Sequence, residues 1–265
     1  VLEPAHTQPT LMPLDVRLAH LWELGVDWVW VIPFTKRFAR MRAEPFIRRI
    51  LSHRLRTQVL VVGEKFVFGR NCQGDMDVLQ RVGPSHGIRI VPVRHVSLAG
   101  APISSSRIRQ LIACGQLALA KRLLGRAPAL YGVVVRGSGR GRRLGFPTAN
   151  GKLSSQALPP RGVYAVVVHA RDARRVARRT NAAPMSQTEI GRGVMNLGVR
   201  PTFGPGALVC EVHLLGFSET LLGRFVSVSL FRRLRNERCF PSVQALCRQV
   251  RQDLSRARGF TLRNG

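Results

Sequence analysis

The spacing of apolar residues changes near residue 126, and this change limits the folds that the chain can adopt. Before it, short apolar runs alternate with segments whose apolar residues recur on one helical face. Such alternation is typical of a parallel α/β sheet. After it, strand-like runs follow one another across Gly-, Pro- and Arg-rich turns, which favours a small antiparallel barrel. The sequence therefore predicts two domains, 1–126 and 127–265.

Helix and strand patterns can be assigned separately within the first domain. One-faced apolar spacing predicts helices over 14–24, 44–55, 104–114 and 117–124. A continuous apolar run predicts a buried strand over 27–32, a β-branched run predicts a strand over 58–62, and another short strand is predicted over 88–93. Together they predict an α/β domain built on a parallel sheet.

The second domain has a different pattern. Strands are predicted over 131–135, 163–169, 194–197, 209–215 and 226–231. The polar, aperiodic stretch 170–192 predicts a long loop, and the amphipathic stretch 243–254 predicts a C-terminal helix. The expected fold is an antiparallel β-barrel followed by one helix.

The charge of the chain is strongly positive, with 42 Lys and Arg against 14 Asp and Glu and a net charge of +28. Such an excess can indicate nucleic-acid or other anionic partners. The arginines are spread along the whole chain, however, which fits a compositional bias at least as well. Nucleic-acid binders usually place aromatic stacking residues among their basic ones, whereas Tyr131 and Tyr164 lie inside predicted strands. Small-molecule substrates are therefore favoured over nucleic acid, which is retained as the alternative.

Cysteine usage and hydropathy indicate the expected compartment. The five cysteines form an odd set without a C-x-x-C pair, which argues against a disulfide framework or a zinc ribbon. The sequence contains no run of eighteen or more apolar residues, so no membrane span is predicted. The first residues lack a signal-peptide pattern. We expect a cytoplasmic protein with reduced cysteines.

The segment 137–150 carries the clearest chemical pattern. Glycines at 137, 139, 141 and 145 allow backbone N–H groups to approach phosphates closely. Thr148 and Asn150 add oxygen donors of the kind that Mg²⁺ prefers, and Arg140, Arg142 and Arg143 add positive charge. The spacing matches neither a Walker A loop nor a dinucleotide-binding loop. For any one of these glycines, a structural tight turn is the alternative.

The same segment, G-x-G-R-G-x-x-L-G-F-P-T-A-N, resembles the signature of riboflavin kinases. Four further segments resemble that family in the same order, namely 158–165, 194–203, 210–215 and 234–240. Five ordered matches over more than one hundred residues make the resemblance specific. It implies a riboflavin kinase-like barrel that uses Mg²⁺ and ATP to convert riboflavin to FMN.

The resemblance also implies roles for individual residues. Glu211, in the C-E-V-H-L-L strand, corresponds to the general base that accepts the proton of the attacking ribityl hydroxyl. Arg235 corresponds to a flavin-contacting position. The Mg-ATP ligands correspond to Thr148 and Asn150, with Gly137, Gly139 and Gly141 along the ATP. Without the ordered matches, Glu211 would be interpreted as a surface residue paired with an arginine.

Three other positions bear on these roles. His213 is interpreted as a packing or hydrogen-bonding residue rather than a catalyst. The chain departs from the family pattern at Gly216, where Asp is frequent, and at Leu222, where Tyr is frequent. The second departure removes an aromatic surface near the expected nucleotide.

The first domain resembles the FMN adenylyltransferase module that precedes the kinase in bacterial bifunctional FAD synthetases. The resemblance lies in 61–69, followed by Gly74-Asp75, and in the I-S-S-S-R-I-R segment 103–109. It implies phosphate binding by Ser105, Ser106, Arg107 and Arg109 at a helix start. An ordinary N-cap is the alternative for this serine-rich segment.

Two departures concern this second activity. The family's first strand, with its H-x-G-H motif, is not found, and Lys65 replaces the usual Asp or Asn. We therefore expect an incomplete nucleotidyltransferase-like α/β domain and no FAD formation by these 265 residues.

Overall fold

A computed structural model describes residues 8–98, 100–171, 188–199, 208–217 and 219–261. The described residues form two compact units. The smaller unit contains Trp30–Ile103, and the larger contains Pro9–Val29 with the described part of Ser104–Gly265. Within the described residues, no helix is both long and apolar enough to cross a membrane.

The smaller unit is built on a pair of parallel strands. β1 (Val59–Gly63) pairs with β2 (Arg89–Val93), and Val61 lies opposite Val91. Its apolar core contains Ile47, Leu79 and Ile88, which are almost fully buried. The predicted parallel pairing is confirmed.

The other elements of this unit are α2 (Lys36–Ala39), α3 (Ala43–Phe46) with its π-helical continuation Ile47–Arg54, 3₁₀ turns Arg70–Cys72 and Pro84–His86, α4 (Met76–Val82), and the two-residue strands β3 (Ser97–Leu98) and β4 (Ala101–Pro102).

The predicted buried strand over 27–32 is wrong. These residues form no strand, and Trp28 is 89% exposed. An apolar run becomes a buried strand only when neighbouring strands satisfy its backbone groups. Within the described residues β1 and β2 pair with each other and not with this run. The Trp30 ring lies instead against the guanidinium of Arg54, 4.7 Å from its carbon to the ring centre.

The larger unit is a closed antiparallel barrel with the strand order β10-β5-β6-β9-β8-β7. Its strands are β5 (Ala129–Val135), β6 (Ala149–Leu153), β7 (Gly162–Arg171), β8 (Thr188–Val199), β9 (Leu208–Leu214) and β10 (Phe225–Arg235). Its helices are α1 (Leu14–Glu23), α5 (Ser105–Ala113), α6 (Leu117–Leu124), the short α7 (Arg140–Arg143) and α8 (Val243–Thr261).

Alternate residues of the barrel strands belong to two different apolar clusters. Tyr164 and Val166 of β7 point into the barrel and are fully buried. Val163 and Ala165 belong to a second cluster with Leu254 and Ala257 of α8. Because side chains alternate along a strand, one set fills the barrel and the other is covered by the C-terminal helix. The predicted barrel with a C-terminal helix is confirmed.

The structure corrects the barrel prediction at three places. β6 was not predicted, because its sequence A-N-G-K-L has no apolar period. Part of the predicted loop 170–192 is strand, since Ala170 of β7 pairs with Thr188 of β8; residues 172–187 lie outside the described residues. The last helix continues beyond 254 to Thr261.

The position of the domain boundary stays a prediction. α6 precedes the proposed boundary at residue 126, yet its Leu117 belongs to the apolar core of the barrel.

Tyr131 and Tyr164, the two tyrosines of the chain, are 4% and 0% exposed. Their rings therefore offer no surface on which a nucleic-acid base could stack.

Candidate active site

The two faces of β9 have different chemistry. Cys210 and Val212 point into the barrel core, whereas Glu211 and His213 occupy the opposite face. Burial raises the pKa of the Cys210 thiol to about 12. The strand thus places a carboxylate and an imidazole on the outer side of a closed apolar barrel.

Three polar residues lie in one row across β8, β9 and β6. Asn196 is the register partner of Glu211 on one side, and Asn150 is its partner on the other. The Oε1 atom of Glu211 is buried. The predicted base and one predicted metal ligand therefore come from adjacent strands at the same level.

Glu211 opens onto a cavity of about 310 Å³ between the outer face of the barrel and α8. Arg235 lines the same cavity, so the structure brings these two predicted residues together. Other lining residues are mostly apolar or aromatic, which suits a flat ring system. They include Leu144, Phe146, Val163, Val194, Phe240, Leu246 and Val250.

The guanidinium of Arg235 is held from α8. Its Nε donates to Oδ2 of Asp253 at 2.9 Å, and the Asp253 side chain is only 2% exposed. Nη1 of Arg235 donates to the carbonyl oxygen of Asn236 at 3.1 Å. Arg235 and Arg238 both lie against the Phe240 ring, at 5.5 and 5.3 Å from its centre. Arg235 is therefore a fixed cation at the cavity wall.

The glycine loop borders a second cavity of about 650 Å³. Gly137 and Gly139 line it together with Thr148 and Asn150, so the structure brings together four of the five residues predicted to bind ATP. Its remaining wall is partly polar, and comes from Arg142, Glu219, Thr220 and Leu222 among others. Gly141 lines the smaller cavity instead, and Thr148 lines both.

Close packing inside the protein explains two of the predicted glycines. A Cβ at residue 137 would lie 2.0 Å from Nδ2 of Asn150. At residue 141 it would lie 2.4 Å from the carbonyl oxygen of Phe146 and 3.0 Å from Oγ1 of Thr148. Both glycines therefore allow the loop to pack onto the predicted metal ligands.

His213 connects β9 to the same loop. Its Nδ1 lies 2.8 Å from the carbonyl oxygen of Pro147, directly before Thr148. Its ring also meets Phe146 edge to face, with 5.7 Å between the ring centres. These contacts agree with the hydrogen-bonding and packing role predicted from the sequence.

The predicted cations of the loop differ in position. Arg142 lines the larger cavity, whereas Arg143 is exposed and lines neither. The side chain of Arg140 lies outside the described part of the chain. Leu222, where relatives often carry Tyr, lines the larger cavity and is 51% exposed.

The side-chain oxygens of Thr148 and Asn150 suit Mg²⁺. This ion keeps several waters and usually takes one or two protein ligands beside substrate phosphates. The hydroxyl of Thr148 and the amide of Asn150 can supply such ligands. Within the described residues, no group of three or more His, Cys, Asp or Glu side chains could form an all-protein metal site.

The serine-rich segment of the first domain begins α5. Ser104 caps the helix, since its Oγ accepts from the backbone N–H of Arg107 at 3.2 Å. Oγ of Ser106 accepts from Nη2 of Arg109 at 2.9 Å. The N-cap interpretation accounts for Ser104, and the phosphate-binding role of Ser105, Ser106, Arg107 and Arg109 stays a prediction.

Sequence reasoning gave no role to several residues of the smaller cavity. Asn196 lay inside a recognised segment, but only the strand pairing shows that it adjoins Glu211. Asp253 offered a signal of its own, because it is the only acidic residue after Glu237. A lone carboxylate in an arginine-rich helix indicates a cationic partner, but only the folded structure identifies it as Arg235.

Comparisons with known proteins identify the family of the chain. A family model described as riboflavin kinase matches residues 124–261, and one described as FAD synthetase matches residues 1–107. A relative from Escherichia coli K12, named bifunctional riboflavin kinase/FMN adenylyltransferase, is 39% identical over 250 residues, covering 94% of this chain and 75% of the relative. A relative of the same name from Pseudomonas fluorescens is 36% identical over 255 residues, covering 96% and 77%.

A solved structure also resembles the whole chain. It is described as a macrolide-efflux protein from Streptococcus pneumoniae and has a TM-score of 0.80 at 28% sequence identity. The similarity covers 97% of this chain and 79% of that one. Together with two curated relatives above 35% identity, the matching domain models show that the chain belongs to the bifunctional riboflavin kinase/FMN adenylyltransferase family.

Proposed function

We propose that this chain is an ATP-dependent riboflavin kinase that transfers the γ-phosphoryl group of ATP to the terminal ribityl hydroxyl, giving FMN and ADP. The observation that carries the proposal is that Glu211 lines the smaller cavity directly beside a strand residue that lines the larger one. The strand partner of Glu211 is Asn150, which lines the larger cavity, while Glu211 itself lines the smaller one. A phosphoryl donor in the larger cavity and a hydroxyl group that accepts the phosphoryl group in the smaller one would meet where Thr148 lines both cavities.

The reaction releases a proton, and the group that accepts it defines the role of Glu211. The ribityl oxygen forms a bond to the γ-phosphorus, the bond to the ADP oxygen breaks, and the hydroxyl proton must leave. The Glu211 carboxylate is the acidic group of β9 that faces the smaller cavity, and it accepts this proton. His213 is engaged with the Pro147 carbonyl and serves to position the loop.

The larger cavity is assigned to ATP. Gly137 and Gly141 keep the loop backbone close to Asn150 and Thr148, whose oxygens would hold Mg²⁺, and Gly139 lines the same cavity as these two ligands. A bound Mg²⁺ would neutralise charge on the phosphate oxygens. The exposed guanidinium of Arg142 adds a positive charge at the same cavity.

The smaller cavity is assigned to riboflavin. Its apolar and aromatic lining suits the isoalloxazine ring, and Arg235 supplies a fixed hydrogen-bond donor at its wall. We assign kinase activity to the domain 127–265. The expectation from the sequence that this chain does not form FAD stays a prediction, and so does phosphate binding by the α5 residues.

A direct assay tests the proposal. The purified chain is incubated with riboflavin and ATP, with and without Mg²⁺, and the flavins are separated by chromatography. FMN should form only when ATP and the divalent ion are both present. Phosphorylation without ATP, or no FMN under any of these conditions, would disprove the assignment.

A further inference from the structure

We propose that Asp253 and Gln249 of α8 are positioning residues that hold Arg235 and Arg238 in place for flavin binding. This inference rests on the proposed riboflavin kinase function. Neither side chain would act on the reacting atoms. Their effect would be on how firmly the cation-bearing wall of the smaller cavity is held.

The four side chains form a continuous hydrogen-bonded chain. Arg235 Nε donates to Oδ2 of Asp253 at 2.9 Å, and Gln249 Nε2 donates to Oδ1 of the same carboxylate at 2.9 Å. The other end of Gln249, its Oε1, accepts from the guanidinium of Arg238. Each carboxylate oxygen of Asp253 therefore accepts one bond, and both ends of Gln249 are used.

Burial makes this chain of hydrogen bonds rigid. Asp253 is 1% exposed and Gln249 is 9% exposed. A buried carboxylate is costly unless it is paired, and a hydrogen bond in a poorly hydrated setting is costly to break. The guanidinium of Arg235 therefore keeps one arrangement as long as Asp253 holds it, and the exposed Arg238 is tied to the same chain through Gln249.

The arrangement ends at the cavity wall. Arg235, Arg238 and Phe240 all line the smaller cavity, and both guanidiniums lie against the Phe240 ring. A ligand that uses this wall would find its donors already oriented, which lowers the entropic cost of binding. The larger cavity has none of these residues in its lining.

Replacement of Asp253 by Asn tests the inference with little change of shape. An asparagine has one acceptor and one donor end, whereas Arg235 and Gln249 both donate to residue 253. In either orientation, the oxygen of the new amide accepts from one of these donors, while its NH₂ group faces the other donor and that bond is broken. The dissociation constant of riboflavin, measured by quenching of its fluorescence, should rise by roughly tenfold or more, while the KM for ATP stays unchanged.

A second substitution should reverse the effect. In the double variant Asp253→Asn with Gln249→Glu, the new amide at position 253 can donate to the new carboxylate at position 249, which can still accept from Arg238. The amide oxygen remains available to accept from Arg235, so all three bonds and the net charge are restored. The single change Gln249→Glu places two carboxylates side by side and should weaken riboflavin binding. Gln249→Met removes only the bonds of residue 249 and should lower the riboflavin affinity less than Asp253→Asn does.

Matched controls separate charge from position. Asp77→Asn makes the same change on an exposed residue of the smaller unit, and Gln252→Glu adds a negative charge to an exposed position of α8. Both should bind riboflavin like the unaltered chain.

The outcomes distinguish the inference from the proposed function. Weaker riboflavin binding in Asp253→Asn with recovery in the double variant would support a positioning role. A lower melting temperature with unchanged riboflavin affinity would overturn it, because a purely structural anchor predicts that result. If Asp253→Asn does not fold, the same comparison of riboflavin affinity with melting temperature is made on Gln249→Met. Absence of riboflavin binding by the unaltered chain would overturn the proposed function and this inference together.

Discussion

Glu211 and Asn150 face each other directly across β9 and β6, one as the candidate base and the other as a candidate Mg-ATP ligand. The paired backbones of two barrel strands fix their separation, so neither depends on a loop for its placement. Sites carried by regular elements are held more precisely than sites carried by loops. The barrel thereby sets the geometry between the candidate base and the candidate Mg-ATP ligand.

Glu211→Gln should abolish most of the kinase rate without loss of the fold. The amide keeps the shape of the side chain but cannot accept the proton, and loss of a general base typically costs about 10²–10⁴-fold. Steady-state FMN formation should fall by that factor, while riboflavin binding by fluorescence persists. The exposed Glu44→Gln variant is the control and should turn over normally. Normal turnover by Glu211→Gln would exclude this residue as the base.

Thr148→Ala and Asn150→Ala should impair the use of Mg-ATP. Each substitution removes an oxygen donor from the wall of the larger cavity. The apparent affinity for Mg-ATP should fall at a given Mg²⁺ concentration, and the Asn150 variant should lose little riboflavin affinity. Thr148 also lines the smaller cavity, so its variant is judged by Mg-ATP alone. Unaltered Mg-ATP affinity in both variants would show that the loop is misassigned.

Gly137→Ala should damage the nucleotide site through one added methyl group. The new Cβ would overlap the Asn150 amide at 2.0 Å, so the loop or the amide must move. The KM for ATP should rise, with riboflavin affinity largely retained. Gly259→Ala is the control, because a Cβ there meets nothing within 4 Å. Equal KM values for ATP in the two variants would contradict the close packing of loop and amide.

Alkaline pH should destabilise the barrel through Cys210. Burial raises the pKa of its thiol from 9.0 to about 12, so above pH 9 the unfolded chain loses a proton that the folded chain keeps. Its contribution to stability is complete below pH 9 and is lost as the pH rises towards 12. The slope approaches about 1.4 kcal/mol per pH unit for one such group.

Comparison of serine variants isolates this contribution. Burial also raises the pKa of Tyr164, but that residue is present in every variant and cancels. The unfolding free energy of Cys210→Ser, followed by denaturant titration from about pH 8.5 to about pH 10.5, should fall less steeply than that of the unaltered chain. Replacement of the exposed Cys72 by Ser should keep the steep decline. Identical slopes for all three proteins would refute the effect.

Local patterns predicted several elements closely. Helix α6 lies where its one-faced apolar spacing places it, and the parallel strands β1 and β2 lie within one residue of the apolar runs that predicted them. The run 27–32 failed because strand formation depends on a partner, which a local pattern does not reveal. β6 was missed for the opposite reason: pairing with β5 and β9 makes a strand of a segment without apolar alternation.

The residues of the candidate site were predicted where a motif lay on one short segment. Glu211, Thr148, Asn150 and Arg235 all line the two cavities. The relationship between Asn196 and Glu211 depends on strand register, and that between Arg235 and Asp253 on the packing of α8 against the barrel. Such long-range pairings are determined by the folded chain and leave no trace in local spacing.

The contact between His213 and the Pro147 carbonyl makes the imidazole a built-in probe of the glycine loop. The ring sits two residues after Glu211 and touches the peptide directly before Thr148. A shift of the loop on nucleotide arrival would change the hydrogen bond at Nδ1 and hence the magnetic environment of the ring protons. With only seven histidines in the chain, nuclear magnetic resonance of this side chain could follow the arrival of ATP without any attached label.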